Sequence, residues 1–514
     1  MEFTEVMRYI LGIAVIGFGS IFVQKMCRKF WYRYKLRNVE GPRGVPFLGN
    51  ILQFGSNNAD FFKAMENWCN EFREVGCFKL FVGFQPVVVV FNPYDMEKIM
   101  QDTSLDDKGV FYQLYVPWLG DGLAISKGSK WMTRRKLLTP SFHFSILTQF
   151  LPTFNDHAQA LTKKLCTLFD GSPLDILPLI SLCSLDITCE TIMGMELGAQ
   201  KGQGEDYVHA VRRLGDITVR RIQYPWYWNE ALFHHMSIGR EYLKCLDVVH
   251  QTTKNVIRER KLESQKRDQR DTIIDDNTLD VRKRRRLAFL DLLIEVQKQN
   301  THFTDEGIQE EVDTFMFAGH DTVSASIAFA MYFIGRHPAV QRKIQEELDL
   351  VFGNDRDRMV TKEDLQKLDY LSCVMKESQR MMTAVPILAR QLETDMNVCG
   401  TTIPKGTSFF IATHWLHRDP KQFPNPEIFD PDRFLLSNSK GRHNFAFLPF
   451  SAGHRNCLGQ KFAIMEQKVI LSTLLRKVEL MSTQEIKDMV LFAGPVLRSV
   501  EGIKMVVTSK NVTF

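Results

Sequence analysis

Residues 450 to 459 read Phe450-Ser451-Ala452-Gly453-His454-Arg455-Asn456-Cys457-Leu458-Gly459. The chain has 10 cysteines in 514 residues and no C-x-x-C pair, so neither a zinc site nor a disulfide framework is implied. The ordinary reading of any one cysteine is a buried, inert thiol. Cys457 differs through its neighbours. Glycines at 453 and 459 let backbone approach closely enough for N–H groups to donate to a thiolate. Arg455 brings a fixed guanidinium fork suited to carboxylates. His454 is a metal-ligand type too, yet three residues from Cys457 the loop cannot present both to one ion.

Other constellations lie upstream. Glu377-Ser378-Gln379-Arg380 puts two opposite charges at i and i+3, one helix face. Phe429-Asp430-Pro431-Asp432-Arg433-Phe434 follows, and Trp131 stands four residues before Arg135. Ala384 to Arg390 is an apolar run closed by a cation, and Ala318-Gly319-His320-Asp321-Thr322 sets small and polar residues inside an apolar helix pattern. Each alone is weak, since surface ion pairs and surface arginines are common.

The Cys457 segment fits F-x-x-G-x-R-x-C-x-G and resembles the haem-binding loop of cytochromes P450; the other constellations resemble that family's remaining motifs, from about residue 41 to residue 507. The resemblance implies haem b, its iron ligated by the Cys457 thiolate, which donates electron density trans to oxygen. It places Arg455, Trp131, Arg135 and Arg390 on the haem propionates, and makes Glu377, Arg380 and Arg433 a buried structural network. It makes Gly319 the gap through which dioxygen reaches the iron. Thr322 becomes the proton-delivery residue, able to bond back to the i−4 carbonyl, with Asp321 as supporting acid.

The expected architecture is mostly α with a small β portion, the P450 fold with an N-terminal transmembrane helix. Tyr9 to Val23 is an uncharged run, extending with its flanks from Val6 to Met26, about the 20 residues needed to cross a bilayer. Residues 24 to 37 carry Lys25, Arg28, Lys29, Arg33, Lys35 and Arg37 with no acid, so the rest of a chain of net charge +5 is nearly neutral. Nucleic-acid binding has no support in that balance. The basic cluster marks a retained anchor with the body in the cytosol. The expected divisions are an anchor at 1–26, a basic and proline-rich hinge at 27–50 around Gly41-Pro42-Arg43-Gly44-Val45-Pro46, and a catalytic domain at 51–514. Residues 141 to 260 read as stacked amphipathic helices, with Leu161, Leu165 and Leu168 on one face. Residues 258 to 286, ending in five basic residues, read as an exposed loop with frayed helix ends. Thr304 followed by Asp305 and Glu306 predicts a helix start, with the helix running to about Arg336 before Pro338. Pro86 to Val90, Ile387 to Gln391 and Phe409 to Thr413 read as short strands.

Glu311 to Phe317, Gly459 to Glu466, Trp118-Leu119-Gly120 and Leu137 to His143 are most similar to family 4, the fatty-acid ω-hydroxylase group. That group implies ω or near-ω hydroxylation of a fatty acid or related lipid, with residues 383–388 and 494–499 bordering the pocket. It also implies an endoplasmic reticulum membrane location and electrons from NADPH through NADPH-cytochrome P450 reductase, with cytochrome b5 as a second donor. This chain has no G-x-G-x-x-G after a strand to bind a dinucleotide itself. One position departs from the group: Ala318 stands where a haem-esterifying Glu is usual, so the haem is expected to be held non-covalently. The competing readings are a haem-thiolate isomerase or dehydratase, and a non-catalytic haem-binding lipid carrier or sensor.

Overall fold

Thr304 accepts a hydrogen bond from the Gly307 N–H at 3.2 Å, and a helix follows from Asp305 to Arg336. Acids at 305 and 306 suit its first turn, and Pro338 opens the next helix, so both limits have a local cause. From Val323 to Gly335 every residue is buried, as an all-round apolar helix requires. In this computed structural model, which describes residues 3–168, 171–273, 289–299 and 303–510, that helix is the axis of the molecule. Leu177–Thr188, Asp369–Met381 and Gln460–Leu475 pack against it.

The β portion is small. One sheet runs Cys77–Val82, Gln85–Val90, Ser408–Ile411, Leu388–Gln391, with the middle pair parallel and the outer pairs antiparallel. A second joins Leu174–Asp175, Lys504–Ser509 and Val478–Ser482; two hairpins complete the set. The third expected strand stops at Ile411, because Thr413 enters a short helix.

Two expectations need correction. Residues 258 to 273 are not loop: one helix spans Ser237–Ile273. Arg260 pairs with Glu263 at 2.8 Å and with Asp291 at 2.7 Å. The helix continues regularly through Ile273 rather than fraying into a loop; residues 274 to 286, including the basic run, lie outside the described residues. Leu168 is 49% exposed, so the stripe of Leu161 and Leu165 does not extend to it.

At the N-terminus a helix runs Phe3–Lys35, and Leu11–Lys35 is long and apolar enough to cross a membrane. It does not end at Met26. Tyr32, Leu36 and Val39 are buried in the core; Lys29 Nζ donates to the Gly83 carbonyl at 2.7 Å and Tyr32 Oη to that of Lys405 at 2.9 Å. The proline-rich segment is stitched as well: Asn50 Nδ2 reaches the Pro42 carbonyl, and Asn50 Oδ1 accepts from the Phe81 N–H. Buried apolar side chains and these hydrogen bonds thus pack residues 29–50 of the basic and proline-rich hinge against the body.

Candidate active site

Cys457 stands just before the N-terminus of Gln460–Leu475, on a loop closed by its own backbone. The Cys457 N–H donates to Phe450 O at 3.0 Å and the Asn456 N–H to Gly453 O at 3.2 Å. Gly453 has φ +69°, and a Cβ there would collide with the Met100 carbonyl, so this position demands glycine. Around Gly459 the opposite holds: a Cβ would meet no protein atom, because the residue faces a cavity. Arg135 clamps the loop from Gly128–Leu138, donating to Asn456 O at 2.9 Å and to its Oδ1 at 2.7 Å. Burial pushes the Cys457 thiol up, while the Gly459 N–H and the Arg135 charge favour its thiolate.

The cavity over Cys457 encloses about 310 Å³ between this loop and the central helix, with Ala318, Gly319 and Thr322 on the far wall. Trp131, Arg135 and Arg455 line it too. Arg455 stacks on the Trp131 ring at 4.6 Å and donates to Ser126 O, while its Nη2 has no partner among the described residues. Arg390 is buried nearby and donates only to its neighbour's carbonyl. Lys108 completes the group. Burial lowers the pKa of all three, and repulsion among them adds to it for Lys108 and for Arg455, which falls to about 10. Asp106 offsets Arg390 and Arg455 only in part, and clustered buried cations are costly, so this cluster fits a group bearing two carboxylates. A cavity bounded by a thiol, a side-chain-free Gly459 and the cations Lys108, Arg135 and Arg455, with Arg390 buried nearby, fits haem.

Thr322 Oγ donates to the Ala318 carbonyl at 3.0 Å. Asp321 turns away from the cavity: it is 6% exposed and ion-paired through Oδ1 with Arg498, leaving Oδ2 without a partner among the described residues. His320 is buried against the Met316 carbonyl. His454 packs edge-on to Trp131 at 5.5 Å, outside any group of metal-ligating side chains among the described residues.

Behind the cysteine loop, Arg380 meets Glu377 through two bonds of 2.7 and 2.9 Å, and Arg433 Nε meets the same carboxylate at 3.0 Å. Arg380 spends further donors on the His417 and Ile428 carbonyls, and Arg433 on those of Pro424 and Ile428. His417 carries the network onward: its Nε2 accepts the Leu448 N–H at 2.8 Å, near the entrance to the Cys457 loop. Burial and the neighbouring Arg380 lower its pKa to about 3, so it is the neutral acceptor this bond needs.

A second cavity of about 250 Å³ adjoins the first, sharing Lys108, Ala124, Ala318, Thr322, Val385 and Leu388. Its remaining walls are mainly aromatic and aliphatic, with residues 385–389 and 493–496 contributing. Sequence reading did not single out Lys108, His417 or Arg498. Only Arg498 carried a signal, a lone cation in the apolar run Pro495-Val496-Leu497.

The family model described as Cytochrome P450 matches residues 39–504. The chain is 44% identical to Cytochrome P450 4V2 of Rattus norvegicus, over 90% of this chain and 87% of that protein. It is 42% identical to Cytochrome P450 4V2 of Homo sapiens, covering 91% and 89%, and 37% identical to Cytochrome P450 4c3 of Drosophila melanogaster, covering 98% and 94%. The chain belongs to the cytochrome P450 family, a monooxygenase with a cysteine-ligated haem that draws electrons from a reductase and acts on lipophilic substrates.

Proposed function

We propose that this enzyme hydroxylates the alkyl chain of a fatty acid or related lipid at or near its end. The carrying observation is the apolar cavity that opens beside Ala318 and Thr322 into the Cys457 cavity. A chain seated there presents C–H bonds to the haem side with water displaced by aromatic walls.

When bound, the haem supplies reductive activation of dioxygen, and the protein supplies position and protons. Cys457 would ligate the iron; Arg455, Arg390, Trp131 and Lys108 would hold the propionates, and Arg135 would hold both the loop and the propionate side. The balance is substrate, dioxygen, two electrons and two protons to alcohol and water. Thr322 passes protons toward the dioxygen side, its hydroxyl already engaging the helix carbonyl it must release. Asp321 supplies them from solvent, which requires it to exchange its Arg498 partner. Gly319 lines the cavity, and a Cβ there would press on Thr188 at 2.9 Å, so its glycine also serves the packing of the central helix on Leu177–Thr188. The haem is held non-covalently, since Ala318 has no carboxylate to esterify it. Electrons come from NADPH through NADPH-cytochrome P450 reductase, with cytochrome b5 as a second donor. The protein sits in the endoplasmic reticulum membrane by a single anchor with its body in the cytosol.

An isomerase or dehydratase has no use for the Thr322 and Asp321 pair, and a carrier or sensor has no use for a proton route. Purified enzyme with reductase, NADPH and dodecanoate is expected to consume NADPH and yield ω or near-ω alcohol. NADPH-independent turnover of a lipid peroxide, or binding with no turnover, would instead favour those readings.

A further inference from the structure

The second cavity carries an amide on an otherwise largely apolar wall. Gln223 closes the helix Glu205–Gln223, is 1% exposed and lines the cavity. A chain of hydrogen bonds orients it. Asn58 Nδ2 donates to the Asp216 carbonyl at 3.1 Å, so Asn58 Oδ1 is the atom left to accept from Gln223 Nε2, also at 3.1 Å. Gln223 Oε1 then has no partner among the described residues. A second acceptor stands close by: Asp216 Oδ1, buried and likewise without a partner, lies 3.6 Å from where a Cβ on Gly494 would be, and Gly494 lines the cavity. The cations facing Asp216 are Arg212, Arg213 and Arg498, and none of them lines the cavity. The cation that does is Lys108, which also lines the Cys457 cavity beside Arg390 and Arg455. Tyr112 and Tyr115 add hydroxyls that can serve a donor or an acceptor.

We propose that Gln223 selects lipids whose polar end is a hydrogen-bond donor, a hydroxyl or an amide N–H, over free carboxylates. This sharpens the lipid hydroxylation proposed above and rests on it. A ligand that brings a donor satisfies an acceptor otherwise left buried and unpaired. A carboxylate brings only acceptors, and the cation on that wall, Lys108, is shared with the Cys457 cavity, where the haem propionates would engage it.

The test uses full-length haem-loaded enzyme and four ligands with the same chain: dodecanol, dodecanamide, dodecanoate and methyl dodecanoate. Binding is read from the spin-state change of the haem band, and turnover from alcohol formed with reductase and NADPH. Dodecanol and dodecanamide are expected to bind roughly tenfold tighter than the other two. The variant Gln223→Met, close in volume and without the acceptor, is expected to bind all four within about twofold of one another. Gln223→Leu serves if that variant fails to take up haem. Dodecanoate binding as tightly as dodecanol, or a preference that survives Gln223→Met, overturns the inference and leaves lipid hydroxylation standing. Failure of all four ligands to bind or react would overturn the lipid reading itself.

Discussion

At the residue scale the site depends on a few atoms whose surroundings oppose their ordinary chemistry. Cys457 is pushed toward the neutral thiol by burial and toward the thiolate by Gly459 and Arg135. Cys457→Ser is expected to abolish the CO difference band characteristic of thiolate ligation while far-ultraviolet circular dichroism stays helical. Thr322→Ala removes the hydroxyl above Ala318. NADPH consumption should continue while alcohol formed per NADPH falls about tenfold or more, the lost reducing equivalents appearing as peroxide. Glu466 gives a pH effect. It is fully buried, bonded to Ser184 Oγ at 2.6 Å, and burial raises its pKa to about 8. The unfolded chain releases this proton near the usual carboxylate value, whereas the folded enzyme keeps it until about pH 8. The folded state therefore binds the extra proton between those values. Its contribution to stability falls as pH rises through that window, by at most about 1.4 kcal/mol per pH unit. Glu466→Gln should flatten this part of the profile, read as Tm against pH.

At the element scale the Glu377, Arg380 and Arg433 network joins Asp369–Met381 to the meander before the cysteine loop. Glu377→Ala leaves two buried guanidiniums uncompensated and is expected to cost about 3–5 kcal/mol, seen as a lower Tm and lost haem on purification. The E-x-x-R pair was legible in the sequence because i and i+3 share a helix face. The His417 bond to Leu448 was not, since 31 residues separate partners that only the fold brings together. The central helix was legible from Thr304 to Pro338, because its cap, first-turn acids and stop are local. Ala318 on that helix makes a further prediction: acid-acetone should extract the haem completely, and haem remaining with the polypeptide would contradict non-covalent binding.

At the scale of the whole molecule the anchor helix and the body share residues. Deleting residues 2–26 removes much of the exposed apolar helix but keeps Lys29, Tyr32, Leu36 and Val39 in place. That protein is expected to fold and take up haem. Deleting residues 2–40 strips buried apolar side chains worth roughly 2 kcal/mol each and should yield protein that unfolds at markedly lower temperature. A basic, proline-broken segment gave no hint of this docking, since tertiary contact decides whether Tyr32 and Leu36 face lipid, water or core.

Local chemistry in this sequence determined the cysteine loop, the helix caps and the motifs of the haem site, because each is written within a few residues and is set by turn geometry or side-chain type. The fold alone decided which charges meet. Cys457 became one wall of a cavity when the central helix crossed above it with Thr322, 135 residues upstream. Lys108 joined Arg390 and Arg455, and Arg498 reached Asp321, only through packing between distant elements. The polar corner of the second cavity has the same origin: the Asn58 and Gln223 amides are oriented by a bond across 165 residues, a relation that periodicity and spacing do not encode.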